Sequence, residues 1–366
     1  MSIQKRPNGA WRARYRDSAG KEHAKHFKRK IDAQSWLDEV TAAVVTGTYV
    51  DPGRARVTVE AFFADWSQRQ VWADNTAIAM SLAVRTCSFA SVAVGDVRRS
   101  HVETWVKAMQ ADGLAASTIR TRVGNVRSVL RGALRDRLIS HDPSDGVKLP
   151  RIRRAEHAMR IPSPDEVGVV LNAAPERFRL FIAVCAFAGL RLGEAAALQL
   201  GDVHFLKRQL HVARQVQRAG SGQIALSAPK HGSERVVSIA DDLSTMIARH
   251  AEELGVRGGE QWLFTGTKGE PPHQNTVGYW WRKTLEDAGV EPFRLHDLRH
   301  FYASALIASG CDVVTVQRAL GHAKATTTLD TYGHLWPTAE DRTRGAASDL
   351  MRVSLRAGAR VAVGSS

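Results

Sequence analysis

The sequence predicts a multidomain chain: a small α+β N-terminal domain (short sheet plus helix), an all-α middle domain, and a larger, mostly α domain of mixed α/β type. Three observations predict it. Near the N-terminus apolar and basic residues alternate with period two, then give way to a helical stripe. Between about residues 57 and 150 the apolar patterns recur at helical spacing. Beyond Ser163 helical stripes are interrupted by two runs that read as strands, with Gly220-Ser221-Gly222 as a turn between them. At 366 residues the chain exceeds one ordinary core, so two or three domains are expected.

In residues 1–56, Trp11, Ala13 and Tyr15 alternate with Arg12, Arg14 and Arg16, which argues a half-buried strand. The stretch from Asp17 to Gly20 signals a turn, and Lys21 to Phe27 reads as a second strand. Ile31 to Val45 reads as a helix with Trp36, Leu37, Val40 and Val44 on one face. The segment carries twelve basic residues against six acidic ones. A small sheet backed by a helix can lay a basic face in a DNA groove, and arginines interleaved with Trp11 and Tyr15 favour that over a solubilising tail. Gly47 to Arg56 reads as a linker.

Residues 57–150 form the helical domain. Val59, Phe62, Phe63 and Trp66 make one stripe, and Val102, Trp105, Val106 and Met109 another. Ser117 to Leu138 is a basic amphipathic helix. Ile119, Val123, Val126, Val129, Leu130 and Leu134 trace its apolar face, Arg120, Arg122, Arg127, Arg131 and Arg135 surround it, and Ser117 is its expected N-cap. Such a helix can lie across a phosphate backbone; an ordinary surface helix explains the pattern equally well. A basic linker around Pro150 covers 151–162.

The domain expected at 163–345 opens with Ser163 capping a helix at Pro164. Phe178 to Ala188 is a buried helix. Leu206 to Val216 and Glu234 to Ile239 read as strands. Asp241 to Leu254, Thr276 to Asp287, Leu295 to Ser309, Asp312 to Leu320 and Thr326 to Leu335 read as helices, and the tail 346–366 as one more amphipathic helix.

A net charge of +14 and a pI near 10.1 point to a polyanionic partner, nucleic acid first, although a merely basic protein shares that composition. Cys87, Cys185 and Cys311 are odd in number and show no CxxC spacing, which argues against a disulfide framework and fits a reducing cytoplasm. No apolar run reaches the ~18 residues of a membrane span, and the first residues lack the apolar core of a secretory signal.

Chemistry concentrates between Leu295 and Leu335, LHDLRHFYASALIASGCDVVTVQRALGHAKATTTLDTYGHL. His296 and Arg299 share one helical face, with Leu298, Phe301, Tyr302 and Ala305 expected on the buried side. A guanidinium fork matches phosphate oxygens, and an imidazole moves protons near neutrality. His296 and His300 are spaced like metal ligands, but Asp297 stands where a zinc-protease helix has Glu and no third ligand follows, so no metal is expected. Gly321 just past a helix end sets His322 on a rigid corner. Tyr332 follows ten residues later. A tyrosine hydroxyl, with a pKa of ~10, needs a base and positive charge to attack phosphorus. Taken singly, each of these residues also fits an ion pair, a satisfied histidine or a core tyrosine.

Together, AGLRLGE around Arg191, Lys230 in SAPKHGSERVV, HDLRH, LGH and TYGH resemble the tyrosine recombinase (phage integrase) family over about Ser163 to Leu335. The resemblance implies a catalytic domain of tyrosine recombinase type at 163–345, a core-binding domain at 57–150 and an arm-site DNA-binding domain at 1–56. It implies that Tyr332 attacks a DNA phosphate, leaving a 3′-phosphotyrosyl link and a free 5′-hydroxyl. Arg191, Arg299 and His322 would hold the phosphate, His296 accept the tyrosine's proton, and Lys230 protonate the leaving 5′-oxygen. Glu194 would orient Arg191. No cofactor is implied, because one phosphodiester is exchanged for another; consistently, GxxxxGK[ST] does not occur.

The implied partners are double-stranded DNA at core-type and arm-type sites, three further copies of the chain in a homo-tetramer, a host DNA-bending protein and a directionality factor, in a bacterial cytoplasm or nucleoid with no membrane role. Expected DNA contacts are Arg12, Arg14, Arg16, Arg120, Arg122 and Arg127. The rivals are a chromosome-dimer or plasmid resolvase of the same family, a type IB topoisomerase and a non-catalytic DNA-binding protein. Tyr332, between Gly321 and Gly333 and near the tail, is expected on a mobile element whose position depends on DNA and neighbouring subunits.

Overall fold

The computed structural model describes residues 1–17, 20–51, 53–151, 159–218, 223–229, 232–266, 269–336 and 339–363; side chains of the last helix are described for 343–355 only. The chain divides into two compact units, Met1–His157 and Ala158–Ser366.

The first unit opens with strands β1 (Ser2–Lys5), β2 (Trp11–Arg16) and β3 (Glu22–Phe27), antiparallel in the order β1-β2-β3. Helix α1 (Lys30–Val45) packs on one face of this sheet. Ala13 and Tyr15 of β2 meet Ala33 and Leu37 of α1 in a small core. Period-two alternation therefore turns Arg12, Arg14 and Arg16 to the other face, where Arg14 pairs with Ser2 and Ala24. Strand β1, four residues and largely polar, carries no pattern of its own; its register comes from β2. Val44 is exposed, contrary to the expected stripe, and Ala33 takes the inward place. Of the expected turn, Ser18 and Ala19 lie outside the described residues.

Four longer helices follow: α2 (Val59–Gln68), α3 (Asp74–Arg85), α4 (Arg99–Ala111) and α5 (Ala116–Arg135). Their core joins Val59, Phe62 and Trp66 to Val102, Trp105, Val106 and Met109, and to Ile119, Val123, Val126, Val129 and Leu130 of α5. Helix α5 starts earlier than expected: Ala115 is its N-cap, and Ser117 sits inside the first turn, where its carbonyl accepts from Thr121.

The second unit contains α6 (Pro164–Ala173), capped by Ser163 with Glu166 reaching back, then the buried α7 (Glu176–Phe187) and the short α8 (Leu192–Ala196). Strands β4 (Val203–His204), β5 (Gln209–Val212), β6 (Gln215–Arg218), β7 (Ile224–Ser227) and β8 (Arg235–Ser238) make two small sheets, β4-β5-β8 and β6-β7. The single strand expected from Leu206 to Val216 is thus two strands in different sheets. Arg208 turns in the left-handed region, and Arg214 breaks the run by pairing with the buried Asp202 at 2.6 Å. Gly220-Ser221-Gly222 lies outside the described residues.

Helices α9 (Asp241–Glu253), α10 (Gln274–Ala288), α11 (Asp297–Ala308), α12 (Val313–Leu320), α13 (Ala325–Tyr332) and α14 (Ala339–Val363) complete the unit. Helix α14 begins before Gly345, so the tail is part of a longer helix than expected, with Leu350, Met351, Val353 and Leu355 exposed. The face of α11 is rotated from expectation. Ala305 is exposed, whereas Leu298, Ala303, Ile307 and Arg299 itself are buried. All three cysteines are free, and burial pushes the Cys87 thiol up to about 12. Among the described residues no helix is long and apolar enough to cross a membrane.

Candidate active site

The site is assembled from helix ends. After α7 the chain turns through Gly189, whose φ of +65° is left-handed; a Cβ there would lie 2.4 Å from the ring of Tyr302. The turn aims the Gly189 carbonyl inward and makes Arg191 the N-cap of α8. The Arg191 N–H donates to Glu194 Oε2 (3.0 Å) and its Nη1 to Glu194 Oε1 (2.6 Å), so the side chain is held against the first turn of its own helix. Glu194, 1 % exposed, also accepts from Arg235 Nη2 on β8 at 2.9 Å. Arg235 Nε then donates to the Ala319 carbonyl at 2.9 Å, near the end of α12.

Arg299 is 1 % exposed. Its guanidinium donates to the carbonyls of Gly189 and Leu320, bridging the turn after α7 to the end of α12. Burial, and then the charges of Arg191 and Arg235, pull it down to about 9, so it stays cationic at neutral pH. Among the described residues, Glu194 is the one carboxylate bonded within this group of three guanidiniums, and it bonds Arg191 and Arg235. The cluster therefore keeps an excess of positive charge in a largely dry place, and an anion would relieve it.

His322 follows Gly321, whose φ is +64°. Its Nδ1 lies 2.9 Å from the hydroxyl of the buried Thr328. His296 is the N-cap of α11. Burial lowers both imidazoles to about 4; His300 and Arg299 add to the effect on His296, and Arg299, Arg191 and Arg235 to that on His322. Both are neutral at physiological pH.

Tyr332, at the end of α13, is 1 % exposed and packs with Ala303, Ile307, Val316 and Leu320. Its ring stacks on His322 with centroids 6.5 Å apart and planes 10° from parallel. Its hydroxyl is 2.7 Å from His300 Nδ1. Burial pushes the phenol up to about 12, while Arg299 and Arg191 pull the other way. Apolar contacts and this hydrogen bond enclose the Tyr332 side chain in the free chain.

Arg191, His296, Arg299, His322 and Tyr332, which span 142 positions of sequence between the first and the last, are thus coupled through the Arg191–Glu194–Arg235 chain, the end of α12 and the charges that act on Tyr332. Lys230 lies outside the described residues, as does His231. Two residues were missed. Arg235 sits in an alternating strand where it reads as a solvent-facing residue, and only tertiary contact shows its burial. His300 was weighed only as a metal ligand.

Of the expected DNA contacts, Arg12 and Arg14 lean on Glu22 at 3.3 and 3.8 Å, and Arg14 also donates to Ser2 Oγ. Arg16 ends the same face and is exposed. Arg127 is half-buried and spends its guanidinium on the side chain and carbonyl of Ser144 (3.0 and 2.8 Å). Arg120 Nε donates to the Pro150 carbonyl. Arg122 is half-buried on α5.

A model of the phage integrase family matches residues 160–338, and one of the phage integrase N-terminal domain matches residues 2–46. The chain belongs to the phage integrase family. This integrase-family chain is 28% identical over 257 residues to the ICEBs1 integrase of Bacillus subtilis (strain 168), covering 67% of this chain and 69% of that one. It is 24% identical over 359 residues to a putative prophage phiRv2 integrase of Mycobacterium tuberculosis (strain ATCC 25618 / H37Rv), covering 95% and 94%. In fold it is similar to the Tn1549 transposon integrase in complex with a circular intermediate DNA, with a TM-score of 0.70 at 19% identity over 80% of this chain and 99% of that one. It is also similar to a lambda integrase dimer bound to a COC' core site, with a TM-score of 0.57 at 17% identity over 92% and 96%.

Proposed function

We propose that this integrase joins and releases DNA at attachment sites by cutting and resealing each strand through Tyr332. Family membership makes it a tyrosine-recombinase-type enzyme that cuts and rejoins DNA site-specifically. The observation that carries the residue assignment is the surplus of buried positive charge beside a buried tyrosine hydroxyl. Arg191 and Arg299 take the non-bridging oxygens, where negative charge grows as the hydroxyl attacks. His322, neutral and fixed by Thr328, donates a further hydrogen bond to the phosphate. The family resemblance gives the role of proton acceptor for the tyrosine to His296. Lys230 is assigned the protonation of the leaving 5′-oxygen. Glu194 and Arg235 hold Arg191 and the α12 corner in place.

The basic sheet face of the N-terminal segment takes a second, arm-type site, and the middle helices take the core site. The lambda integrase relatives were solved as a dimer on a core site and as a tetramer on a Holliday junction; the same assembly is proposed here, four tyrosines for four strands. The match to the phage integrase N-terminal domain favours integration over chromosome-dimer resolution.

A nicked suicide duplex bearing the core sequence recovered from the element's chromosomal junctions tests the nucleophile. The wild type should accumulate a covalent 3′-linked protein–DNA adduct and Tyr332→Phe none. An adduct with the phenylalanine variant overturns the assignment.

A further inference from the structure

We propose that His300, rather than His296, takes the proton from Tyr332 during strand cleavage and returns it during rejoining. The inference rests on Tyr332 as the nucleophile. It goes further by naming the atom that activates it.

Geometry comes first. His300 Nδ1 lies 2.7 Å from the Tyr332 hydroxyl, within reach of direct proton transfer. The two rings meet edge to face at 5.6 Å. His300 stands one turn into α11, on the turn that follows His296, and α11 is fixed by the buried Leu298 and Arg299. His296 is at the helix N-cap, its ring 5.0 Å from that of His300 and nearly perpendicular to it. Among the described residues the imidazole bonded to Tyr332 is that of His300.

The surrounding charges are similar at the two rings. The groups acting on His300 are Asp297, Arg294 and Arg299, with His296 beside it and Tyr332 facing it from α13. Burial lowers its affinity for a proton, which leaves Nδ1 free to accept when the hydrogen sits on Nε2; Asp297 acts in the opposite sense and favours the imidazolium once it forms. At His296, Arg299 and Arg191 oppose a proton and Asp297 favours one; at His300, Arg294 and Arg299 oppose it and Asp297 again favours it. The direct hydrogen bond to the Tyr332 hydroxyl therefore selects His300.

The step balances. As the Tyr332 oxygen bonds to phosphorus, its proton passes to His300 Nδ1. The bond from phosphorus to the 5′-oxygen breaks, and that oxygen takes a proton from the acid assigned to Lys230. Rejoining runs the same transfers backwards.

The test uses the full chain and single-turnover cleavage of the nicked core duplex. His300→Gln keeps an oxygen that can accept a hydrogen bond from Tyr332 but cannot carry its proton at neutral pH. Cleavage should slow about a hundredfold, with the duplex bound as tightly and the melting temperature held. The acidic limb of the wild-type rate–pH profile should disappear in this variant. A second duplex with sulfur in place of the bridging 5′-oxygen needs no acid for its leaving group, and the defect should persist on it. Cleavage by His300→Gln within threefold of wild type overturns the proposal, and so does a defect that vanishes on the sulfur-bridged duplex. Should Tyr332→Phe still form an adduct, the nucleophile assignment fails instead, so the two failures are distinguishable.

Discussion

Replacing Glu194 by glutamine changes one charge at nearly constant shape. Glu194 is 1 % exposed and holds Arg191 at 2.6 Å and Arg235 at 2.9 Å. Glutamine keeps one acceptor oxygen, but its amide sets a donor against a guanidinium. The cluster then has three guanidiniums and no bonded carboxylate among the described residues. Leaving a buried charge without its partner costs about 3–5 kcal/mol, and a unit of this size loses about 2–4 °C of melting temperature per kcal/mol. The expected drop at pH 7 is about 6–20 °C, in the transition of the Ala158–Ser366 unit followed by calorimetry on the full chain. The pH dependence adds a second signature. Burial raises Glu194, but the hydrogen bond from Arg235 and the charges of Arg235 and Arg191 outweigh it and hold the carboxyl below its usual range. A group lowered on folding stabilises the protein above its unfolded pKa of ~4.3, and that stability is lost as pH falls through the folded value. The wild type should therefore lose its advantage over Glu194→Gln below about pH 4. A drop at pH 7 of less than about 1 °C refutes the idea that Glu194 holds the arginines in place.

His296 and His322, both lowered to about 4, bind protons more readily when unfolded; the second unit should lose stability as pH falls from ~6.5 toward that value. Melting measured between pH 7 and 4.5 should show the slope, and His296→Gln with His322→Gln should flatten it; a flat wild-type curve contradicts neutral burial. Gly321→Ala places a Cβ 2.9 Å from Arg235 Cδ at a φ of +64°. It should cost about 1–2 kcal/mol in a denaturant titration and slow cleavage by shifting His322; an unchanged midpoint counts against the rigid corner. Arg127→Ala removes both bonds to Ser144 and should destabilise by about 1–3 kcal/mol with an unchanged salt dependence of DNA binding. Arg16→Ala should do the reverse, lowering the salt slope by about 1; a changed slope for Arg127→Ala instead makes that residue a phosphate contact.

Much of this was legible in the chain itself, because helix ends and apolar periods are local properties. Ser163 before Pro164, Asp312 before α12 and Gly321 after it mark their boundaries through bonds to neighbours two to four residues away. The order of Arg191, His296, Arg299, His322 and Tyr332 was equally plain, since motif spacing is linear. Strand partners were not. Nothing between Leu206 and Val216 says that Arg214 is drawn to Asp202 and divides the run between two sheets. Nor does the alternation around β8 reveal that Arg235 is buried against Glu194 and Ala319. Local pattern did not show the burial of the tyrosine either: its flanking glycines suggest mobility, and packing against Ala303, Ile307 and Leu320 encloses its side chain in the free chain. The sequence by itself determined which chemical groups are present and in what order. Only the tertiary structure decided which imidazole meets the Tyr332 hydroxyl, because His296 and His300 lie one helical turn apart and the docking of α13 on α11 selects between them.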